Sequence, residues 1–585
     1  MSPVSAVVTW AGDEGTAVVE VSATGAAAAA VHAAVPELLA DRVASRLSAQ
    51  DATLWGDQHA PHVTDRLGWT DLHRTSRDLV GRVVALRDEL RAEGLDRVVL
   101  AGMGGSSLAA EVVAGTFGAP LTVLDSTAPT QVARALEGDL RRTVLVVASR
   151  SGTTVETDSH HRAFVSAFRA AGLDPARHLV VVTKPGSPLA EQARSEGYRA
   201  VFTADPRMGG RFSALSAYGL VPSGLAGVDV GRLLDEAADV ADFFGEDAEA
   251  NPALVLGAAL AGTRPLRDAV LLVEAGSGLY RFSDWVEQLI AESLGKDGRG
   301  LVPVVVGENA PELAAPGPHT LPVLLCPLTD DDVTAEVDEV ADASAPTSHV
   351  AVSGEFTTSE DTAPAHGTEV TVAGSLGGMF LLWQHAVAVA GRMLGVNPFD
   401  QPDVEATKAA TREFLGGMPS LEPPAFTDSG VEVRAPRSLL AGVDTVPDAV
   451  ATLLGRLDPD HGYVAVLAYL DREGRAADLL RGVRDGLARR TGRPVTFGWG
   501  PRYLHSTGQL HKGGPPLGVY LMVTGGTAAH VSIPGRDFDF TELVTAQADA
   551  DARVLTRLGR PVVRLHVDTP DALAWLTGSL ARRST

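Results

Sequence analysis

An apolar run at residues 143–148 ends in six residues rich in hydroxyls, Ser149-Arg150-Ser151-Gly152-Thr153-Thr154, and a helical pattern starts near Val155. This order restricts the fold more than any other feature of the chain. A buried parallel strand that feeds a helix through a tight turn is the repeating unit of a doubly wound α/β sheet. The same turn is an anion cradle, because hydroxyls and free backbone N–H groups meet at a helix N-terminus that carries partial positive charge. With no lysine of the P-loop kind in the turn, it suits a phosphate on a small metabolite better than a nucleoside triphosphate.

The unit recurs along the chain. Strands are predicted at residues 98–101, 121–124, 143–148, 179–183 and 199–203, with helices at 76–92, 107–114 and 157–171. A second alternating unit begins after Asn251, with strands at 269–274, 301–306, 321–326 and 349–352 and a helix at 377–393. Past the Pro-rich linker at 421–426, a third unit holds strands at 463–467, 495–498, 519–523 and 562–566. The expected architecture is α/β: an irregular and then helical lead-in (1–75), two doubly wound parallel-sheet domains (76–245 and 246–424) and a smaller C-terminal α/β domain (425–585).

Composition narrows the partners. The 585 residues carry a formal net charge of -24, which disfavours nucleic acid and anionic membrane surfaces, since both require a basic patch. An anionic substrate then needs a local cradle of its own. The single cysteine, Cys326, adjoins an apolar run and reads as a buried small hydrophobe, so no disulfide framework is expected. There is no Lys or Arg before Arg42, and the alanine tract at 26–34 is too short to span a bilayer, which points to a cytoplasmic protein. Metal-ligand spacings are absent, so neither a metal nor another cofactor is expected. Of 49 Lys and Arg residues only four are lysine, at 184, 296, 408 and 512. In a chain so biased toward arginine, a retained ammonium suggests a need for its size or its easily shifted pKa.

Three further constellations carry chemistry. Gly104-Gly105-Ser106-Ser107 follows a predicted strand, where the glycines permit close approach of a ligand and Ser107 can cap the next helix. Beside the 149–154 turn it forms a second wall of one crevice. Gly209-Gly210-Arg211 either aims a permanent cation inward or pairs Arg211 with a carboxylate at a helix start. In residues 283–292 the apolar positions 285, 286, 289 and 290 form a helix stripe with Ser283 as its cap, and Gln288 and Glu292 share another face. Glu292 sits in the last turn before Gly295, where the helix dipole opposes negative charge. A raised pKa there suits a general base, the alternative being a solvated surface glutamate.

Taken in order, Gly104-Gly105-Ser106, the 149–154 turn, Gly209-Gly210-Arg211, Glu292-Ser293-Leu294-Gly295-Lys296 and Phe399-Asp400-Gln401-Pro402-Asp403-Val404-Glu405-Ala406-Thr407-Lys408 resemble the glucose-6-phosphate isomerase family across roughly residues 95–415. That family is built from two sugar-isomerase (SIS) domains. Residues 430–585 resemble the isomerase half of fused transaldolase/glucose-6-phosphate isomerase proteins. The resemblance implies that Gly105, Ser106, Ser149, Ser151, Thr153 and Thr154 hold the sugar phosphate, with Arg150 where many members have lysine. It implies that Glu292 moves a proton between C1 and C2, that Arg211 steadies the enediolate, that Gln288 and Gln401 meet substrate hydroxyls and that Lys408 assists ring opening. The resemblance also admits a homodimer.

One departure affects the mechanism. Many members carry a Gly-Gln-His segment between the glutamate and lysine motifs, and its histidine helps open the sugar ring. Here the nearest match, Gln384-His385, lies inside an apolar helix. The C-terminal segment His505-Ser506-Thr507-Gly508-Gln509-Leu510-His511-Lys512 offers His505 or His511 instead. The resemblance thus implies reversible isomerisation of glucose 6-phosphate and fructose 6-phosphate through an enediolate. The alternatives are an enzyme that also accepts mannose 6-phosphate and a sugar-phosphate sensor without catalysis.

Overall fold

The computed structural model describes residues 6–13, 17–328, 369–417, 422–527 and 529–581. Three sheets organise it. The first has five parallel strands in the spatial order Leu121–Leu124, Arg97–Gly102, Thr143–Ala148, Leu179–Thr183 and Ala200–Thr203. The chain therefore reverses its winding between Arg97–Gly102 and Thr143–Ala148. A crevice opens at such a switch point, outside the carboxyl ends of the two strands. Both loops singled out in the sequence, 104–107 and 149–154, leave from those ends. Thr143–Ala148 is buried along its whole length, which accounts for its unbroken apolar run.

The second sheet runs Val7–Asp13, Ala17–Ala23, Val370–Gly374, Thr320–Leu325, Ala269–Glu274 and Val302–Val306. Its last four strands are parallel. The first two form a hairpin that joins Val370–Gly374 antiparallel. This corrects the expectation of an irregular N-terminus. Val19, Val21 and Ala23 alternate into the core at period two, a short signal overshadowed by the alanine-rich helix Gly25–Ala40 behind it. The strand expected at 349–352 lies outside the described residues. Cys326 is half-buried rather than fully buried.

The third sheet repeats this plan: the hairpin Phe426–Asp428 and Val431–Arg434, then Val562–Val567, Gly518–Gly525, Tyr463–Tyr469 and Val495–Trp499 in parallel. All four strands expected in this region are present, and the hairpin is an addition.

The C-terminal unit is cemented to both others. Ile533, Phe540 and Leu543 share a core with Val132, Phe164 and Phe168 of the first unit. Tyr463, Leu467 and Met522 share another with Leu271, Val273 and Val304 of the second. Fully burying one such side chain contributes about 1.5–3 kcal/mol, so the contacts together outweigh any single polar link. A chain ending at Pro424 is predicted to bind a hydrophobic dye and to aggregate, measured by fluorescence and light scattering. A monodisperse fragment that melts at the parent's temperature would contradict this docking.

Candidate active site

The switch point holds a cleft of about 580 Å³. Its walls come from all three units: Gly104, Gly105 and Ser106, Arg150, Ser151 and Thr154, Gly210 and Arg211, Gln288 and Glu292, Gln401, and His505. Two glycines are indispensable to the close packing of these walls. Gly104 has φ +54°, and a Cβ there would lie 2.4 Å from the carbonyl oxygen of His505. A Cβ on Gly105 would lie 2.2 Å from the carbonyl of Gly210. Ser213 ties the two turns together by donating from Oγ to Gly105 O at 3.0 Å.

The helix Phe282–Leu294 delivers Gln288 and Glu292. Its start differs from expectation, since Ser283 lies within the helix and donates its backbone N–H to Glu274 Oε1 at 3.0 Å, with Arg281 at the N-cap. Glu292 is 3% exposed and Arg211 1% exposed, so neither is a surface group. Arg211 Nη1 lies 3.3 Å from Glu292 Oε2, Gln401 Nε2 donates to the same oxygen at 2.7 Å, and Gln288 Nε2 approaches Oε1 at 3.5 Å. Burial raises the Glu292 carboxyl above the usual carboxylate range, and the adjacent Arg211 offsets only part of that rise.

Arg211 is held on every side. Its Nε donates to Ser293 Oγ at 2.7 Å, and Nη2 donates to the carbonyls of Pro398 at 2.5 Å and Asp400 at 3.1 Å. Lys296 grips the same loop, donating from Nζ to Asp400 O at 2.8 Å and Oδ1 at 2.7 Å. Burial, reinforced by the charge of Arg211, lowers the Lys296 ammonium to about 8. The two cations thus set the position of Gln401.

The C-terminal unit completes the cleft with His505. Gln288 donates to its backbone carbonyl at 2.7 Å, and its ring Nε2 lies 2.9 Å from Glu156 Oε1. Gln547 donates to the same carboxylate oxygen at 2.7 Å. Burial works against the charge on Glu156, yet the His505 ring, by charge and by hydrogen bond, holds its carboxyl below the usual range. An ionised Glu156 accepts a hydrogen bond from Nε2, and His505 lines the cleft. Three residues earlier, Arg502 anchors the loop: Nη1 donates to Glu111 Oε2 at 2.7 Å and to Asp125, and Nη2 lies 3.7 Å from Asp284. Arg472 joins this buried network at 3.0 Å from Glu111 and 3.2 Å from Asp125.

Several predicted site residues stand elsewhere. Ser149 and Thr153 shape the cradle from behind: Ser149 Oγ accepts the Gly152 N–H at 3.1 Å and pairs with Thr154 Oγ1 at 3.1 Å, while Thr153 donates from N–H and Oγ1 to Ser151 Oγ, each at 3.1 Å. His511 is corrected. Its ring is buried among Tyr463, Tyr503 and Tyr520, with Nδ1 3.2 Å from Tyr463 OH, and it does not line the cleft. Desolvation lowers it to about 3, so it stays neutral at physiological pH. His385 is likewise a packing residue, bonded through Nδ1 to Leu381 O at 2.9 Å and edge-on to Trp69. Lys408 belongs to the helix Val404–Gly416, but its side chain is outside the described residues. Sequence reasoning missed Asp65, Arg66 and Arg207 at the cleft and Glu156 behind His505, and did not assign Lys184 to the site. The scarcity of lysine was the signal for Lys184; Glu156 two residues past the cradle offered none.

Among the described residues no cluster of His, Cys, Asp and Glu is arranged to hold a metal ion, and no helix is long and apolar enough to cross a membrane.

The family model described as phosphoglucose isomerase matches residues 78–300. A probable glucose-6-phosphate isomerase of Haloquadratum walsbyi is 33% identical over 355 residues, covering 57% of this chain and 82% of that one. The corresponding protein of Haloarcula marismortui is 32% identical over 352 residues, covering 55% and 78%. Among solved structures, a hypothetical protein from Thermus thermophilus aligns with TM-score 0.52 and 26% identity over 66% of this chain and 97% of its own. With most of the length of such relatives matched, and with the glutamate, arginine and hydroxyl turn gathered at one switch-point cleft, the chain belongs to the phosphoglucose isomerase family.

Proposed function

We propose that this protein interconverts glucose 6-phosphate and fructose 6-phosphate by proton transfer through an enediolate, as a cytoplasmic enzyme of sugar-phosphate metabolism. The observation that carries the reading is the buried Glu292 between Arg211, Gln288 and Gln401 at one end of a cleft whose other wall is a hydroxyl-rich anion cradle. A sensor needs the cradle but not a desolvated carboxylate facing a fixed cation.

In this reading the phosphate rests on Ser106, Ser151 and Thr154 with Arg150 beside them, which sets C1 and C2 over Glu292. Glu292 takes the proton from C2 of the open-chain aldose and returns it to C1. Negative charge builds on the oxygens at C1 and C2 as the first proton leaves. Arg211, held in place by its own hydrogen bonds, meets that charge without reorganising, which is worth several kcal/mol in a site poor in water. Ring opening comes first: the bond between C1 and the ring oxygen breaks as His505, oriented by Glu156, gives a proton to that oxygen and the C1 hydroxyl releases its own proton to water. Lys408 keeps the assisting role implied by the resemblance. The chain supplies His505 and Glu292 itself, so the reading requires no second subunit.

Glu292→Gln is expected to lower kcat by at least ~10²-fold while fructose 6-phosphate still binds, measured by a coupled assay and calorimetry. Because the base works only when ionised and burial raises its pKa, kcat of the parent is expected to fall on the acid side at a pH above the ordinary carboxylate value of 4.5. Near-normal turnover of the variant, or full kcat down to pH 4.5, would remove Glu292 from the role.

The two histidines separate cleanly. His505→Ala is expected to slow turnover of the ring-closed sugar by ~10-fold or more, and His511→Ala to lower the melting temperature with a smaller effect on kcat. Equal kinetic effects of the two changes, with equal stability, would overturn the assignment.

A further inference from the structure

Five cationic side chains line the cleft: Arg66, Arg150, Lys184, Arg207 and Arg211. Two are neutralised in place, Arg211 by Glu292 at 3.3 Å and Arg207 by Asp205 at 2.9 Å. The other three face the cleft with no carboxylate ion pair among the described residues. Arg66 makes one long hydrogen bond, from Nη1 to the carbonyl of Asp65 at 3.4 Å, and Arg150 makes one, from Nη2 to the carbonyl of Pro206 at 3.2 Å. The Nε of Arg150 is buried and has no hydrogen-bond partner. The remaining acid at the mouth, Asp65, adds to the charge that Asp205 sets against Arg207. Arg66 and Arg150 line the same cleft, and Arg150 is lowered by burial and next by the charge of Arg66.

Arg66 arrives there by design of the chain path. The next three residues are pinned to the Gly209-Gly210-Arg211 turn and the residues leading into it: Leu67 forms an isolated antiparallel bridge with Met208, Gly68 donates its N–H to Arg207 O at 2.8 Å, and Trp69 packs on Phe212 at 5.0 Å. Leu67 and Trp69 are fully buried. The backbone of Arg66 is therefore fixed beside the cleft while its side chain projects from the N-terminal segment, a part of the chain to which no role in the site has been given.

Two guanidiniums that line one cleft without a carboxylate ion pair of their own repel, and an anion with several acceptor oxygens relieves that repulsion while satisfying their forks. The cradle hydroxyls of Ser151 and Thr154 open onto the same cleft. We propose that Arg66 is the second guanidinium of a clamp that, with Arg150, holds the substrate's phosphate dianion. The clamp deepens the isomerase reading above and rests on it for the identity of the phosphate ester.

The test is calorimetric titration of the full chain with inorganic phosphate and with fructose 6-phosphate, alongside steady-state kinetics. Arg66→Gln removes the guanidinium while keeping a polar, uncharged side chain, and is expected to weaken binding of both ligands by ~10-fold or more and to raise KM for fructose 6-phosphate by a similar factor, with the smaller effect on kcat. Arg66→Lys is expected to recover part of the loss, which a purely structural role would not do. Unchanged binding of both ligands in Arg66→Gln, or a fall in kcat with binding and KM unchanged, overturns the clamp. If the parent binds phosphate but turns over no sugar phosphate, and Arg66→Gln loses that binding, the clamp stands and the isomerase reading falls.

Discussion

The buried pair of Arg211 and Glu292 is the interaction on which the rest of the site depends. Two charges removed from water carry a desolvation penalty of several kcal/mol each, which mutual attraction repays only when the remaining donors are satisfied. Here they are. Ser293 and the carbonyls of Pro398 and Asp400 occupy the other nitrogens of Arg211, and Gln401 and Gln288 meet the carboxylate. The arrangement leaves Glu292 less acidic than a solvated glutamate and Arg211 unable to move away. Both properties suit the proposed proton abstraction next to a developing oxyanion, and neither benefits a protein that only binds.

The surrounding architecture follows from keeping that pair dry and reachable. The switch point of the first sheet supplies the hydroxyl-rich turn, the second unit supplies Glu292, and the third closes the cleft with the loop carrying His505. Gly104 and Gly105 let these pieces meet at distances that any side chain would block. The charged network of Arg502, Arg472, Glu111 and Asp125 then fixes the His505 loop from behind. Removing one member would leave a buried charge without its partner, so the loop holds its register more firmly than apolar docking alone would allow.

Much of this was legible in the sequence because it is local. The 149–154 turn could be recognised from a fully buried strand, a run of hydroxyls and a helix start within a dozen residues. Gln288 and Glu292 could be placed on one face because helical spacing is fixed, although burial of that face could not be read from it. Elements that depend on distant partners were not legible. The N-terminal hairpin takes its meaning from Val370–Gly374, about 350 residues away. Ser283 was mistaken for a cap because the acceptor that satisfies its N–H, Glu274, lies in the preceding strand and loop region rather than in the helix. His505 and His511 are six residues apart and look equivalent in sequence, but only the fold turns one toward the cleft and the other into a cage of tyrosines. Arg66 is one arginine among many until Leu67 and Trp69 are seen to pin its segment to the Arg211 turn.

The central claim is that Glu292 carries a proton between adjacent carbons, and isotope exchange tests it most directly. Fructose 6-phosphate incubated with the enzyme in deuterated water, followed by proton NMR, should acquire deuterium at C1, with deuterium at C2 of the glucose 6-phosphate formed. Glu292→Gln, saturated with substrate, should show at least ~10²-fold slower labelling. Labelling of the variant at the parent's rate, or a parent enzyme that isomerises with no label entering at either carbon over many turnovers, would contradict the account.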